Sequence, residues 1–78
     1  MMKESVPSAA ELKAAQEELD WLKTVRRKEI AVELIEARSL GNLCENEAYA
    51  RARDAQFQME ERITELENFV MDALIVRI

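Results

Sequence analysis

The residues best placed to do chemistry in this chain crowd around its single glycine. Asn42 and Glu45 follow Gly41 closely, Glu47 and Tyr49 come next, and Arg38, Arg51 and Arg53 lie within about three helical turns. Carboxylates of this kind are hard oxygen donors for divalent cations. Other chemistries are excluded by composition. The chain has no histidine and one cysteine, Cys44, so neither an internal disulfide nor a zinc site can be assembled. Cys44 also has no neighbouring base to turn it into a nucleophile. The same polar residues have a plainer reading. Asn42-Leu43-Cys44-Glu45 has the spacing of a capping box, with Asn42 as N-cap and Glu45 at the third helical position. Glu47 and Arg51 stand four apart, as an ordinary surface ion pair does.

The chain that must position these residues is short. At 78 residues it allows one small domain, marginal in stability unless its core is regular or it has partners. With one glycine and one proline it lacks the turn residues of a barrel or sandwich, and it is too short for a nucleotide-binding βαβ fold. Eleven lysines and arginines stand against 16 acidic residues, a formal net charge of −5. That balance argues against wrapping duplex DNA, which calls for a clustered basic excess. No apolar run approaches the ~18 residues of a membrane span, and the N-terminus has no apolar signal-like core, so a soluble cytoplasmic protein is expected.

Pro7 and Gly41 are the only strong breakers. Ser8-Ala9-Ala10-Glu11 fits a capping box, and from there apolar residues recur at Leu12, Ala15, Leu19, Leu22, Val25, Ile30, Leu34, Ala37 and Leu40. These steps of three and four, one of them longer, predict an amphipathic helix over about 8–40, closed by Gly41 in a left-handed conformation. Some 32 residues at 1.5 Å each make a rod of about 48 Å. A second stripe, Ala48, Ala52, Ala55, Met59, Ile63, Leu66, Val70 and Ala73, predicts a helix over about 43–73, with the turn at 41–45.

Two long helices joined so tightly must be antiparallel neighbours. The expected fold is all-α, a long antiparallel two-helix coiled-coil hairpin. In its register Leu22 meets Ile63, Leu19 meets Leu66, Ile30 meets Ala55 and Ala37 meets Ala48. Alanines line the seam near the turn, larger residues the open end. Arg26 opposite Met59 is the one polar interruption, its stem covering the seam and its head in water. Residues 74–78, Leu-Ile-Val-Arg-Ile, are apolar and rich in β-branching. They read as a linker or first strand toward an absent C-terminal domain, or as a segment through which the open end forms a homodimer.

At this point the sequence resembles a known family. Glu18-Leu19-Asp20-Trp21-Leu22-Lys23-Thr24-Val25-Arg26-Arg27-Lys28-Glu29-Ile30 is similar to the first-helix signature E-L-x-x-L-K-x-x-x-R-P-E-I of the bacterial Gre transcript-cleavage factors. Glu36-Ala37-Arg38-Ser39-Leu40-Gly41-Asn42-Leu43-Cys44-Glu45-Asn46-Glu47-Ala48-Tyr49 is similar to the family's turn, E-A-R-x-x-G-D-L-x-E-N-A-E-Y. The resemblance runs from about Pro7 to Ile78. It implies a coiled coil inserted into the secondary channel of bacterial RNA polymerase, with the nascent RNA 3′ end as its second contact. Acidic residues at the tip would help to hold a Mg²⁺ shared with the polymerase and to position water. The polymerase's own site then cleaves backtracked RNA, so the factor is an accessory with no intrinsic cofactor and is not an enzyme.

By that resemblance Asn42 and Glu45 are the tip residues that assist cleavage, Glu45 the Mg²⁺ ligand, and Glu47 a further candidate. Arg38, Arg51, Arg53 and Tyr49 would contact RNA or polymerase. The chain departs from the pattern at the tip. Asn42 stands for the family's Asp, which keeps a capping oxygen but removes a charge. Glu47 and Ala48 exchange the family's Ala and Glu, moving an acid by about 100° around a helix. Lys28 replaces a proline, which should leave the first helix smoother. Docking in the channel with weak cleavage, or none, is therefore expected. The alternatives are a channel-binding inhibitor without cleavage stimulation and a purely structural coiled-coil dimerisation module.

Overall fold

A computed structural model describes residues 7–41 and 45–77. Its elements are α1 (Ala9–Trp21), a π-helical turn (Leu22–Arg26), α2 (Arg27–Arg38) and α3 (Glu47–Arg77). The π turn joins α1 and α2 into one arm, and α3 packs against that arm along its length. The molecule measures 53 × 26 × 16 Å, the proportions of a two-helix rod. No strand occurs among the described residues. The expected all-α hairpin is the observed fold.

The first arm starts where its capping box predicts. Ser8 Oγ accepts from the Glu11 amide at 3.1 Å, and the Ser8 amide donates to Glu11 Oε1 at 2.9 Å. Two of the orphan amides at the helix start are satisfied this way. The buried residues of the arm are Ala15, Leu22, Ile30 and Ala37, at intervals of seven, eight and seven. The eight-residue step explains the π turn. Eight residues of straight α-helix rotate about 80° past two full turns, which would carry Ile30 out of the seam. The π turn, whose Arg27 amide bonds the Leu22 carbonyl five residues back, absorbs the surplus residue and returns Ile30 to full burial. Thr24 Oγ1 donates to the Asp20 carbonyl at 2.7 Å in the same turn.

Two positions on the predicted stripe, Val25 and Leu40, depart from it. The π turn interrupts the first arm just upstream of Lys28, which itself lies in regular α2. Val25, counted on the apolar stripe, is exposed, since a wider turn brings the residue four on from Leu22, Arg26, back toward the seam instead. Arg26 is half-buried, and its head pairs with Glu29 at 3.0 Å and Glu33 at 3.9 Å. Leu40, also on the predicted stripe, lies beyond the end of α2 and is 71% exposed.

On α3 the buried residues are Ala52, Met59, Ile63, Leu66 and Ala73, a heptad seam. Ala15, Leu22, Ile30, Met59, Ile63 and Leu66 form one core, flanked by Leu19, Leu34, Ala55 and Val70. Leu22, Ile63, Leu19, Leu66, Ile30 and Ala55, paired in the predicted register, all belong to this core or its flank. Ion pairs cross the seam on either side of it. Arg62 grips Glu18 through two bonds of 2.9 and 3.0 Å, Arg27 grips Glu60 at 3.1 and 2.9 Å, and Lys23 reaches Glu67 at 3.1 Å.

α3 does not end near residue 73. It continues to Arg77, so Leu74–Arg77 are helical and not a strand. No glycine or proline intervenes, and β-branched residues cost a growing helix only tenths of a kcal/mol each. Leu74 and Ile75 are exposed on this last stretch.

Candidate functional site: the tip of the rod

The tip is built by the way the two arms stop and start. α2 ends at Arg38, and a tightened last turn follows: the Ser39 amide bonds the Ile35 carbonyl, Leu40 bonds Ala37 and Gly41 bonds Arg38, at 3.1–3.2 Å. Ser39 Oγ satisfies the Glu36 carbonyl at 2.6 Å. Gly41 then adopts a φ of 112°, outside the range that side-chain-bearing residues favour. A Cβ built there would meet nothing within 4 Å, so the demand for glycine is one of backbone conformation and not of space.

The second arm starts differently from the expected capping box. Asn42, Leu43 and Cys44 lie outside the described residues, so the proposed cap at Asn42 does too. Glu45 is described, and it stands ahead of the helix rather than at its third position. α3 begins at Glu47, and its cap is Asn46. Asn46 Oδ1 accepts from the Tyr49 amide at 3.0 Å, and the Asn46 carbonyl accepts from the Ala50 amide at 3.1 Å. That is the N-cap arrangement, displaced four residues along the chain. The other end of the same amide donates from Nδ2 to the Ala37 carbonyl at 2.6 Å. One half-buried side chain thus closes the start of α3 and ties it to the last turn of α2.

Asn46 is the residue that sequence reasoning passed over. Its signal was present: asparagine is among the strongest N-caps, and Asn46 precedes an acidic first turn and an unbroken run of helix formers. Asn42 offered the same signal four residues earlier, with the added attraction of a glutamate three residues on.

Around this cap, Glu45 and Glu47 are exposed and Tyr49 is half-buried. The arginines divide. Arg51 lies 3.8 Å from Glu47, a loose pair with both side chains largely in solvent. Arg38 and Arg53 are exposed, and among the described residues neither has an acidic side chain within 4 Å. Arg51 and Arg53 are two positions apart on one helix, so they point about 200° apart and cannot share a face. The structure therefore gathers Glu45, Asn46, Glu47 and Tyr49 at one end of the rod with Arg38 nearby, but does not merge Arg51 and Arg53 into one basic patch.

Among the described residues, no three His, Cys, Asp or Glu side chains stand together as a metal cage. The tip offers the hard carboxylate oxygens of Glu45 and Glu47, both exposed. The shifted ionisations lie on the shaft. The Arg62 guanidinium, hydrogen-bonded to Glu18, holds that carboxyl below its usual value, and Arg27 does the same to Glu60. Each arginine is held more firmly protonated in return. These are exposed structural pairs. No helix among the described residues is long and apolar enough to cross a membrane.

With this geometry in view, the relatives of the chain can be placed. A family described as "Transcription elongation factor, N-terminal", the GreA/GreB N-terminal domain, matches residues 6–75. The transcription elongation factor GreA of Bacillus cereus is 48% identical over 62 residues, covering 80% of this chain and 39% of that protein. GreA of Alkaliphilus oremlandii is 43% identical over 74 residues, covering 95% of this chain and 46% of the relative. GreA of Bacillus licheniformis is 45% identical over 64 residues, with 82% and 40% covered. The chain thus spans less than half the length of the curated relatives it matches. No solved structure matches it. A match over nearly the whole chain, on a fold of the expected shape, decides the family: this chain belongs to the Gre transcription elongation factors, as their N-terminal helical hairpin domain.

Proposed function

We propose that this chain acts as the finger of a transcription elongation factor, entering the secondary channel of bacterial RNA polymerase and stimulating the polymerase's own cleavage of backtracked RNA. The observation that carries this reading is the placement of Glu45. It is an exposed carboxylate at the extremity of a slender rod, in a chain of the Gre family. A catalytic site at the bottom of a channel can be reached only by something long and thin. Phosphodiester hydrolysis there benefits from further hard oxygen ligands.

In this reading Glu45 approaches the catalytic centre and offers one carboxylate oxygen to a Mg²⁺ shared with the polymerase. When bound, that ion supplies charge stabilisation and an activated water. The chain's own part is to carry the carboxylate there, fix its direction and help to exclude bulk water. Asn42 supplies a neutral oxygen where the family has an acid, and Glu47 is available as a second carboxylate. On the same reading Arg38, Arg53 and Tyr49 contact the RNA 3′ end or the channel wall, and Arg51, which lies 3.8 Å from Glu47, contributes less. The factor has no chemistry alone, and catalysis resides in the polymerase.

A second reading is favoured by one specific observation, the exchange of acid for amide at Asn42. A finger with a weakened tip would occupy the channel and inhibit. Stalled bacterial elongation complexes separate the two. Release of short RNA 3′ fragments with Mg²⁺, abolished in Glu45→Ala, supports cleavage stimulation. Binding without release supports the inhibitor. Absence of binding at micromolar concentration overturns both and leaves a structural coiled coil. Asn42→Asp is expected to raise the cleavage rate, and an unchanged or lower rate would contradict the weak-ligand argument.

A further inference from the structure

A carboxylate that must act on a reaction centre in another protein has to be held in one direction, and the rod's packing does not hold this one. The apolar core consists of Ala15, Leu22, Ile30, Met59, Ile63 and Leu66 on the shaft. Toward the tip the buried residues, among those described, are alanines, Ala37 and Ala52, whose small contact area fixes little. Glu45 itself is exposed, and it stands outside α3. What lies next to it in the chain is Asn46. The carboxamide of Asn46 makes two bonds of opposite sense to two different elements: Oδ1 accepts from the Tyr49 amide of α3 at 3.0 Å, and Nδ2 donates to the Ala37 carbonyl of α2 at 2.6 Å. A helix cap needs only the first bond. The second spans the hairpin and fastens the backbone immediately beside Glu45 to the end of the opposite arm.

We infer that Asn46 is a positioning residue for Glu45, and that its amide nitrogen, as distinct from its capping oxygen, sets the efficiency of cleavage stimulation. This rests on the proposed function for what Glu45 does, and on the two hydrogen bonds for how it is held. Among the ordinary N-cap residues, only asparagine carries both a capping oxygen and a donor of this reach. Aspartate caps equally well but turns an oxygen toward the Ala37 carbonyl. Serine caps but is too short to cross.

The test separates the two halves of the amide. In Asn46→Asp the cap survives, so the helical signal and the protection of the Tyr49 amide against hydrogen exchange are expected to stay near wild type. The backbone of Glu45 is expected to loosen, its ¹⁵N order parameter falling from about 0.85 toward 0.6. With stalled elongation complexes, maximal cleavage rate should fall roughly tenfold or more, as small misplacements of a reacting group do. The concentration for half-maximal effect should not move. A purely structural cap would leave both Glu45 mobility and maximal rate unchanged in this variant, and that result overturns the inference. So does a loosened Glu45 with undiminished cleavage. Should Asn46→Asp fail to fold, Asn46→Ser repeats the comparison with a neutral capping oxygen. If the unaltered chain stimulates no cleavage at all, the proposed function fails, while the relaxation measurement still decides whether Asn46 fixes Glu45.

Discussion

The shaft and the tip of this hairpin are held by different forces. On the shaft, Leu22, Ile30, Met59, Ile63 and Leu66 interdigitate, and Arg62–Glu18, Arg27–Glu60 and Lys23–Glu67 bridge the two arms beside them. Among the described residues of the tip the buried side chains are alanines, and the fastening is polar: a run of tightened backbone bonds from Ser39 to Gly41 and the carboxamide of Asn46. Apolar packing scales with area and is lost in kilocalories when a large side chain is trimmed. Hydrogen bonds contribute less to net stability but fix direction. Mutations in the shaft should therefore unfold the rod, while mutations at the tip should leave a folded rod that works badly.

The largest effect that would sharpen this contrast is at Ile30, the most deeply buried residue of the core. Ile30→Ala is expected to cost about 2–5 kcal/mol in urea or thermal unfolding, and Ile63→Ala a comparable amount. A loss below about 1 kcal/mol at both positions would break the picture of a packed shaft. Next comes Gly41→Ala, where the positive φ predicts a cost of about 1–2 kcal/mol through backbone strain alone. Because nothing crowds that Cβ, Gly41→Asn should recover part of the loss. Equal penalties for alanine and asparagine would point to sterics instead.

The smallest effect concerns acid. Glu18 and Glu60 have their carboxyls held below the usual value by Arg62 and Arg27. A depressed folded-state pKa contributes stability above the unfolded value, near 4.5 for both, and the contribution disappears as pH falls through the lower folded value. The melting temperature should decline modestly as pH drops below about 5. Both pairs are exposed, so 1 M salt should flatten most of that slope. A pH slope that persists in high salt would mean the bridges are more sheltered than their exposure indicates.

Much of the shaft is written plainly in the residues. Ser8 and Glu11 announce a capping box and form one, and Gly41 announces a positive φ and adopts it. The heptads of α3 predict which of its residues are buried. These features depend on local spacing, which a single chain displays. Features that depend on choosing between equivalent local signals are less legible. Asn42 and Asn46 carry the same capping chemistry, and Asn46 is identified as the cap of α3 by the bond that its Oδ1 accepts from the Tyr49 amide. Leu74–Arg77 look strand-like residue by residue, yet a helix already 27 residues long propagates through them at small cost. The π turn has no letter of its own. Its trace is the eight-residue interval between Leu22 and Ile30, which reads as an irregular stripe until the backbone bond from Arg27 to Leu22 is seen.

That turn has a consequence for how such a rod can change over generations. A helix that takes up one surplus residue as a local widening behaves like a ratchet with a free tooth. A single codon lost between Leu22 and Arg26 would close the widened turn to plain α-helix and leave Ala15, Leu22, Ile30 and Ala37 on the seam at even intervals of seven. The fingertip would retreat by only about 1.5 Å. The reach of the rod can therefore be retuned one codon at a time without turning its base away from the seam.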